Sequence, residues 1–196
     1  MSKSVKGTKT EQNLLKAFAG ESQASNRYLF FAGQAEKDGY REIADFFRQT
    51  AEQERVHAKR FFKFLEGGPL EITATYPAGI IGTTEENLAA AEAGETEEAT
   101  ELYPEMARIA REEGFEEIAL TWENIVIAEK EHARCYGEFL KRVKAGNFFT
   151  SEKPILWKCR KCGYVYEGVT PPAVCPACLH PQAYYQKLED APFGLL

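Results

Sequence analysis

Glu129 and His132 stand three residues apart, and so do Glu54 and His57. A carboxylate and an imidazole at positions i and i+3 leave a helix from one face, so each pair can grip one cation. The pairs are copies. A shift of 75 positions lays Glu54 on Glu129, His57 on His132, Ala58 on Ala133, Phe64 on Phe139 and Leu65 on Leu140. The same shift lays Gly39-Tyr40-Arg41-Glu42-Ile43-Ala44 on Gly114-Phe115-Glu116-Glu117-Ile118-Ala119. The chain has three histidines, and two of them hold equivalent places in a repeat. Paired Glu-x-x-His motifs, joined by one glutamate from each of two further helices, are how helical bundles hold two iron or manganese ions.

Whether the two further glutamates exist is decided by their helical neighbours. Glu52 is a solvated control, ringed by Asp45, Arg48, Gln49, Arg55 and Lys59. Glu21 instead sits among Leu14, Ala17, Phe18, Ala24 and Tyr28, and Glu95 among Leu88, Ala91, Ala99 and Leu102. Glu54 and Glu129 lie on similar apolar stripes. Measured from the turn glycines Gly39 and Gly114, Glu21, Glu54, His57, Glu95, Glu98, Glu129 and His132 fall within a slab roughly 6 Å thick at ~1.5 Å rise per residue. Carboxylates buried so close together repel unless cations neutralise them. Carboxylate mixed with imidazole suits iron or manganese better than magnesium or calcium.

Seven candidates exceed the six-ligand pattern by one, and Glu98 is the surplus. It shares nearly the height of His57, so the two can compete for one metal. Two ferrous ions with five glutamates leave one net negative charge; exchanging Glu98 for neutral His57 leaves none. A ferric pair can hold all five carboxylates with an oxide or hydroxide. The expectation is a ligand exchange driven by oxidation state. Tyr28 and Tyr103 follow Glu21 and Glu95 by two turns, placing their hydroxyls either in the core or beside metal-bound carboxylates.

A second metal site is written in cysteine. Cys159-Arg160-Lys161-Cys162 and Cys175-Pro176-Ala177-Cys178 are two CxxC pairs separated by 12 residues, a spacing that delivers four thiolates tetrahedrally. The spacing alone leaves zinc and iron open. A redox-capable site in the same chain, and a likeness of Trp157, Gly163-Tyr164 and Tyr166 to rubredoxin, favour a single iron. Cys135 reads as a packed thiol and His180 as a surface residue.

Four long helical patterns must position the carboxylates. They run from about Thr10 to Lys37, from Tyr40 to Glu66, from Thr83-Thr84-Glu85-Glu86 to Glu113, and from Phe115 to Ala145. Gly39 and Gly114 make tight hairpin turns, Leu70 to Gly82 is a non-helical crossover, and Pro104 should kink or split the third pattern. Hairpin, long crossover, hairpin describes an all-α, ferritin-like four-helix bundle over residues 1–150. Residues 151–196 change composition to Cys, Pro, Tyr and Gly, and form a small β/loop domain that needs a metal to hold together.

Composition narrows the partners. The formal charge of −6 argues against nucleic acid or anionic membrane. Four of five cysteines fall in the tail, which suits metal binding in a reducing compartment rather than disulfides. Met1-Ser2-Lys3-Ser4-Val5-Lys6-Gly7 lacks the apolar core of a secretory signal, and no apolar run approaches the ~18 residues of a membrane span. The expectation is a soluble cytoplasmic protein.

These residues together resemble the rubrerythrin family. The likeness rests on Ala17-Phe18-Ala19-Gly20-Glu21-Ser22-Gln23-Ala24, Glu54-Arg55-Val56-His57-Ala58-Lys59-Arg60, Ala93-Gly94-Glu95-x-x-Glu98, Glu129-x-x-His132 and the paired CxxC. It covers nearly the whole chain. Val56 departs from the family, where glutamate is common, and the 12-residue gap is similar to rubrerythrin tails. The resemblance implies that Glu54 and Glu129 bridge two irons, that Glu21 with Glu98 or His57 completes one, and that Glu95 with His132 completes the other. It implies reduction of hydrogen peroxide to water, re-reduction through the tail by an external rubredoxin or NAD(P)H-linked reductase, and a homodimer in which one tail serves the partner's bundle. Two other readings of the residues are a ferroxidase using dioxygen and an electron carrier whose bundle is scaffold.

Overall fold

The computed structural model describes residues 3–188; Met1, Ser2 and the last eight residues of the expected tail domain, 189–196, lie outside it. Five helices fill the first part: α1 (Lys9–Lys37), α2 (Arg41–Phe62), α3 (Thr84–Glu97), α4 (Tyr103–Glu112) and α5 (Glu116–Lys144). A π-turn, Glu98–Leu102, joins α3 to α4, so the two form one interrupted rod. That rod pairs with α5 as α1 pairs with α2, giving a bundle of two hairpins joined by an irregular crossover.

Local chemistry fixes each end. Gly39 and Gly114 adopt φ of +87° and +81° at the two hairpin turns, a left-handed backbone that a side chain disfavours. Beside each glycine an acid reaches across to the other hairpin. Asp38 accepts from the Thr84 amide at 2.9 Å and its hydroxyl at 2.7 Å, while Glu113 accepts from the Thr10 amide at 2.8 Å and its hydroxyl at 2.6 Å. Each turn thereby caps the positive end of the opposite hairpin's first helix. Thr83 and Glu86 close a capping box at the start of α3.

Two boundaries differ from expectation. The second helix stops at Phe62 rather than Glu66, because Phe64 and Leu65 bond back to Phe61 and Phe62 in a tighter turn. Glu66 instead holds the N-terminal segment, accepting from Ser4 Oγ at 2.7 Å and the Val5 amide at 2.9 Å. Pro104 does sit at a split, but the break precedes it. The π-turn absorbs the missing hydrogen bond, and Pro104 lies in the first turn of α4, where no N–H is needed.

The core falls in two parts on either side of the carboxylate layer. Toward the Gly39 turn lie Tyr28, Phe31, Phe46, Phe47, Tyr136 and Phe139; toward the Gly114 turn lie Leu14, Phe61, Tyr103, Ile118 and Trp122. The tail is a three-stranded antiparallel sheet in the order β2 (Val165–Gly168), β1 (Ile155–Cys159), β3 (Tyr185–Lys187). Trp157 is buried at its centre and donates through Nε1 to the Gly168 carbonyl at 2.9 Å. The tail meets the bundle at α2, where Arg160 pairs with Asp45 at 2.8 Å and Arg41 lies over the Tyr184 ring. No described helix is long and apolar enough to cross a membrane.

Candidate metal centres

Glu21, Glu54, Glu95 and Glu129 project into the layer between the two halves of the core, each no more than 1% exposed. His57 and His132 enter from α2 and α5 with ring centroids 6.2 Å apart. The two bridging candidates have a distinctive arrangement. Glu54 turns Oε2 to His57 Nδ1 at 3.0 Å and Oε1 to His132 Nδ1 at 3.2 Å. Glu129 turns Oε1 to His57 at 3.0 Å and Oε2 to His132 at 2.9 Å. Each carboxylate thus faces both imidazoles, one oxygen to each. Glu21 lies by His57 at 3.9 Å, and Glu95 lies by His132 at 3.3 Å.

Two groups of four side chains result: Glu21, Glu54, His57 and Glu129, and Glu54, Glu95, Glu129 and His132, with ligand atoms in each group within 4.8 Å of one another. They share Glu54 and Glu129. The oxygens are close to the imidazoles, yet Glu129 Oε1 and Oε2, Glu54 Oε1 and Glu21 Oε2 lack hydrogen bonds of adequate angle. With the two imidazole nitrogens they offer each group four ligand atoms within reach of one cation, as ligands of two neighbouring cations do.

Electrostatics shows the tension in this layer. Burial and the nearby Glu54, Glu129 and Glu98 push Glu21 well above the usual carboxylate range, against the opposing hydrogen bond from Tyr103. Burial and Glu54 push Glu95 up to about 8. Burial also opposes ionisation of Glu54, but His132 and His57 overcome it and bring it down to about 2. Burial opposes charging of His57, yet Glu129 and Glu54 raise it to about 10; His132 is raised by the same two carboxylates together with Glu95.

The tyrosines cross over. Tyr28 donates to Glu95 and Tyr103 to Glu21 at 2.6 Å, each to the carboxylate of the opposite hairpin rather than its own helix. Both hydroxyls are therefore partners of the cluster as well as core aromatics. Gln53, which the sequence reading passed over, accepts from His132 Nε2 at 3.0 Å and holds Nδ1 toward the carboxylates. Its repeat-equivalent, 75 positions on, is Ala128, so among the described residues no matching amide anchors His57. Glu98 is partly buried on the π-turn and belongs to neither group of four. Burial and then Glu95 raise its carboxyl well above normal.

In the tail, the four cysteine sulfurs lie within 4.8 Å of one another. Cys159 and Cys178 are 3.7 Å apart, as are Cys162 and Cys175. A tetrahedron with metal–sulfur bonds of about 2.3 Å has edges of about 3.8 Å, whereas a disulfide closes to about 2.05 Å. The sulfurs therefore frame a metal. Donors around Cys175 outweigh its burial and bring its thiol down to about 6. Cys135 is buried on α5, as expected of a packed thiol. His180 stays outside the group of four ligands and is half-buried, with its ring edge on Tyr184 and Nδ1 3.0 Å from the Cys178 carbonyl.

The family model described as Rubrerythrin matches residues 12–140, and that described as Rubrerythrin, rubredoxin-like domain matches residues 157–186. The chain belongs to the rubrerythrin family. It is 56% identical over 186 residues to rubrerythrin of Nitratidesulfovibrio vulgaris, covering 95% of this chain and 97% of that one. It is 58% identical over 189 residues to rubrerythrin of Porphyromonas gingivalis, covering 96% and 94%. Among solved structures, nigerythrin in its fully reduced, all-ferrous state superposes with a TM-score of 0.61 at 28% identity, covering 94% of this chain and 91% of that one. The carboxylate–imidazole layer fits the family's pair of non-haem irons, and the four cysteines fit its rubredoxin-type iron.

Proposed function

We propose that this rubrerythrin-family chain reduces hydrogen peroxide to water at the carboxylate layer and is re-reduced through the cysteine site. The observation that carries this reading is the pair Glu54 and Glu129, each facing both imidazoles, in a chain that also carries a four-sulfur site. Residues 1–150 form the catalytic unit and residues 151–196 the electron-delivering unit. Glu54 and Glu129, common to both groups, would be shared by two irons; Glu21 with His57 or Glu98 would complete the ligands of one, and Glu95 with His132 those of the other. When bound there, the irons supply both electrons for O–O cleavage and Lewis acidity toward the oxygen that leaves.

The chain's own groups do the rest. Tyr103 and Tyr28 hold Glu21 and Glu95 in place through their hydroxyls, and Gln53 fixes the tautomer of His132. The dry aromatic layers above and below keep bulk water from the carboxylates and strengthen every charge interaction among them. His57 is the mobile partner. Its side chain is 15% exposed against 8% for His132, and among the described residues no amide anchors it, so it is the ligand that would yield to Glu98.

Electrons arrive one at a time from an external rubredoxin or NAD(P)H-linked reductase, in a cytoplasmic homodimer. Stopped-flow mixing of the fully reduced protein with hydrogen peroxide or with oxygen tests the reading. Oxidation of the iron pair should be much faster with peroxide; a markedly faster reaction with oxygen would replace peroxidase with ferroxidase. His57→Ala should leave the oxidised spectrum intact and impair the reduced site, whereas equal damage to both would remove the exchange.

A further inference from the structure

Beneath the irregular crossover, a cleft of about 460 Å3 runs between α1 and the α3–α4 rod. Gly20 and Gly94, the residues immediately before Glu21 and Glu95, both line it, and Glu98 and Tyr103 bring it to the carboxylate layer. Neither glycine has a side chain to fill the space. The roof is the crossover stretch 73–77, pinned where the Tyr76 hydroxyl donates to the Lys16 carbonyl at 2.7 Å. The Tyr76 ring lies over Gly20, where an added Cβ would meet it at 3.6 Å.

The lining is matched to a neutral, partly apolar guest. Met106 and Ile109 supply apolar wall. At the rim, Glu97, Glu101 and Glu105 outnumber Lys16 and Arg27, so the field disfavours anions and leaves neutral molecules unhindered. The volume far exceeds what hydrogen peroxide needs: a water takes about 30 Å3, and a cavity of about 150 Å3 already holds benzene or xenon.

Resting on the peroxidase reading, we propose that this cleft is the chamber through which the oxidant reaches the irons, and that it admits small alkyl hydroperoxides as well as hydrogen peroxide. The O–O bond breaks, one electron comes from each ferrous ion, and two protons come from solvent. A hydroperoxide ROOH leaves as ROH and water. The chamber's width, rather than the carboxylate layer, sets the largest alkyl group accepted.

The test uses the metal-loaded protein and two variants that narrow the cleft at different depths. Gly94→Leu places a good helix former on α3, where an added Cβ has only the end of Arg27 nearby, at 3.9 Å. Met106→Trp narrows the cleft from α4. Val56→Trp, on the exposed outer face of α2 beside His57, is the control for access from the other flank. Oxidation of the reduced iron pair by tert-butyl hydroperoxide should slow by about tenfold or more in both cleft variants, with hydrogen peroxide less affected and Val56→Trp unchanged. Crystals of the protein as isolated, pressurised with xenon, should show xenon in the cleft of the wild type and not of Gly94→Leu.

Unchanged rates in both cleft variants at full iron content, or slowing only in Val56→Trp, would overturn the chamber. Brisk reaction with hydrogen peroxide but none with tert-butyl hydroperoxide would remove the alkyl substrates and leave the peroxidase reading standing. A wild type inert to both would remove both claims together.

Discussion

Stripping the metals from the carboxylate layer should load it with protons, and the structure shows which groups take them. Burial and the charge of Glu54 push Glu95 up to about 8 and push Glu21 in the same direction, while His57 and His132 are raised by their carboxylates. At pH 6.5 Glu95, His57 and His132 hold a proton that a metal ligand must give up, and Glu21 is shifted toward the same state. Glu54, held at about 2, is already a carboxylate and contributes none. Loading two divalent ions should therefore release about three protons or more, offsetting most of the positive charge that enters and keeping the buried layer near neutral.

The sign follows directly. Protons compete with metal, so loading weakens as pH falls, by a factor of about a thousand or more per pH unit for the pair near neutrality. The dependence should ease above pH 8, where Glu95 is no longer protonated, and again above pH 10, where His57 discharges. Titration of metal-free protein with cobalt or ferrous ion in weakly buffered solution, with base consumption recorded, measures the release. Two protons or fewer per pair would mean that the layer tolerates bare carboxylates, and the reasoning from burial would fail.

Three further predictions are accessible to mutagenesis. Tyr103→Phe leaves Glu21 without its buried donor, and hydrogen bonds to charged groups contribute about 1.5–3 kcal/mol, so competition with a chelator should show roughly 10- to 150-fold weaker binding of one metal. Cys175→Ser removes one corner of the sulfur tetrahedron. The tail should lose its iron and its amide protection against hydrogen exchange, while the bundle keeps both irons. Gln53→Leu frees His132 to rotate, and the reduced protein should lose about tenfold or more in affinity for one iron, with Gln53→Asn restoring part of it.

Much of the bundle was legible because repetition announces itself. Equivalent glutamates, histidines and turn glycines recur at a fixed spacing, and burial of the four glutamates followed from their apolar neighbours. The tail's four cysteines were equally plain, since CxxC pairs impose their own geometry. What escaped the reading was also written in the repeat, but as a change of phase. Between the hairpins, Thr10, Leu14, Ala17, Gly20 and Glu21 recur 74 positions later, whereas Ala24, Tyr28, Ala32, Ala35 and Gly39 recur 75 later. Two residues separate Glu21 from Ala24, but three separate Glu95 from Ala99, and the third is Glu98.

That one extra residue is accommodated as the π-turn, where the helix widens to keep Ala99 and Tyr103 facing the core. The surplus carboxylate and the helical irregularity are thus one event. The crossed tyrosine pairs and Gln53 were illegible for a different reason. Helical periodicity assigns a face, but it does not say which neighbouring helix a long side chain will reach. The early end of α2 depended on Glu66 finding the N-terminal segment, a contact between distant parts of the chain that no local pattern contains.

The central claim is that two irons lie between Glu54 and Glu129. Anomalous diffraction at the iron edge from crystals of the protein as isolated tests it most directly. The account predicts two peaks about 3.5–4 Å apart, each within bonding distance of one oxygen from both carboxylates, and a third peak among Cys159, Cys162, Cys175 and Cys178. A layer with no iron peak in iron-replete protein, or a single peak bound to only one of the two carboxylates, would contradict it.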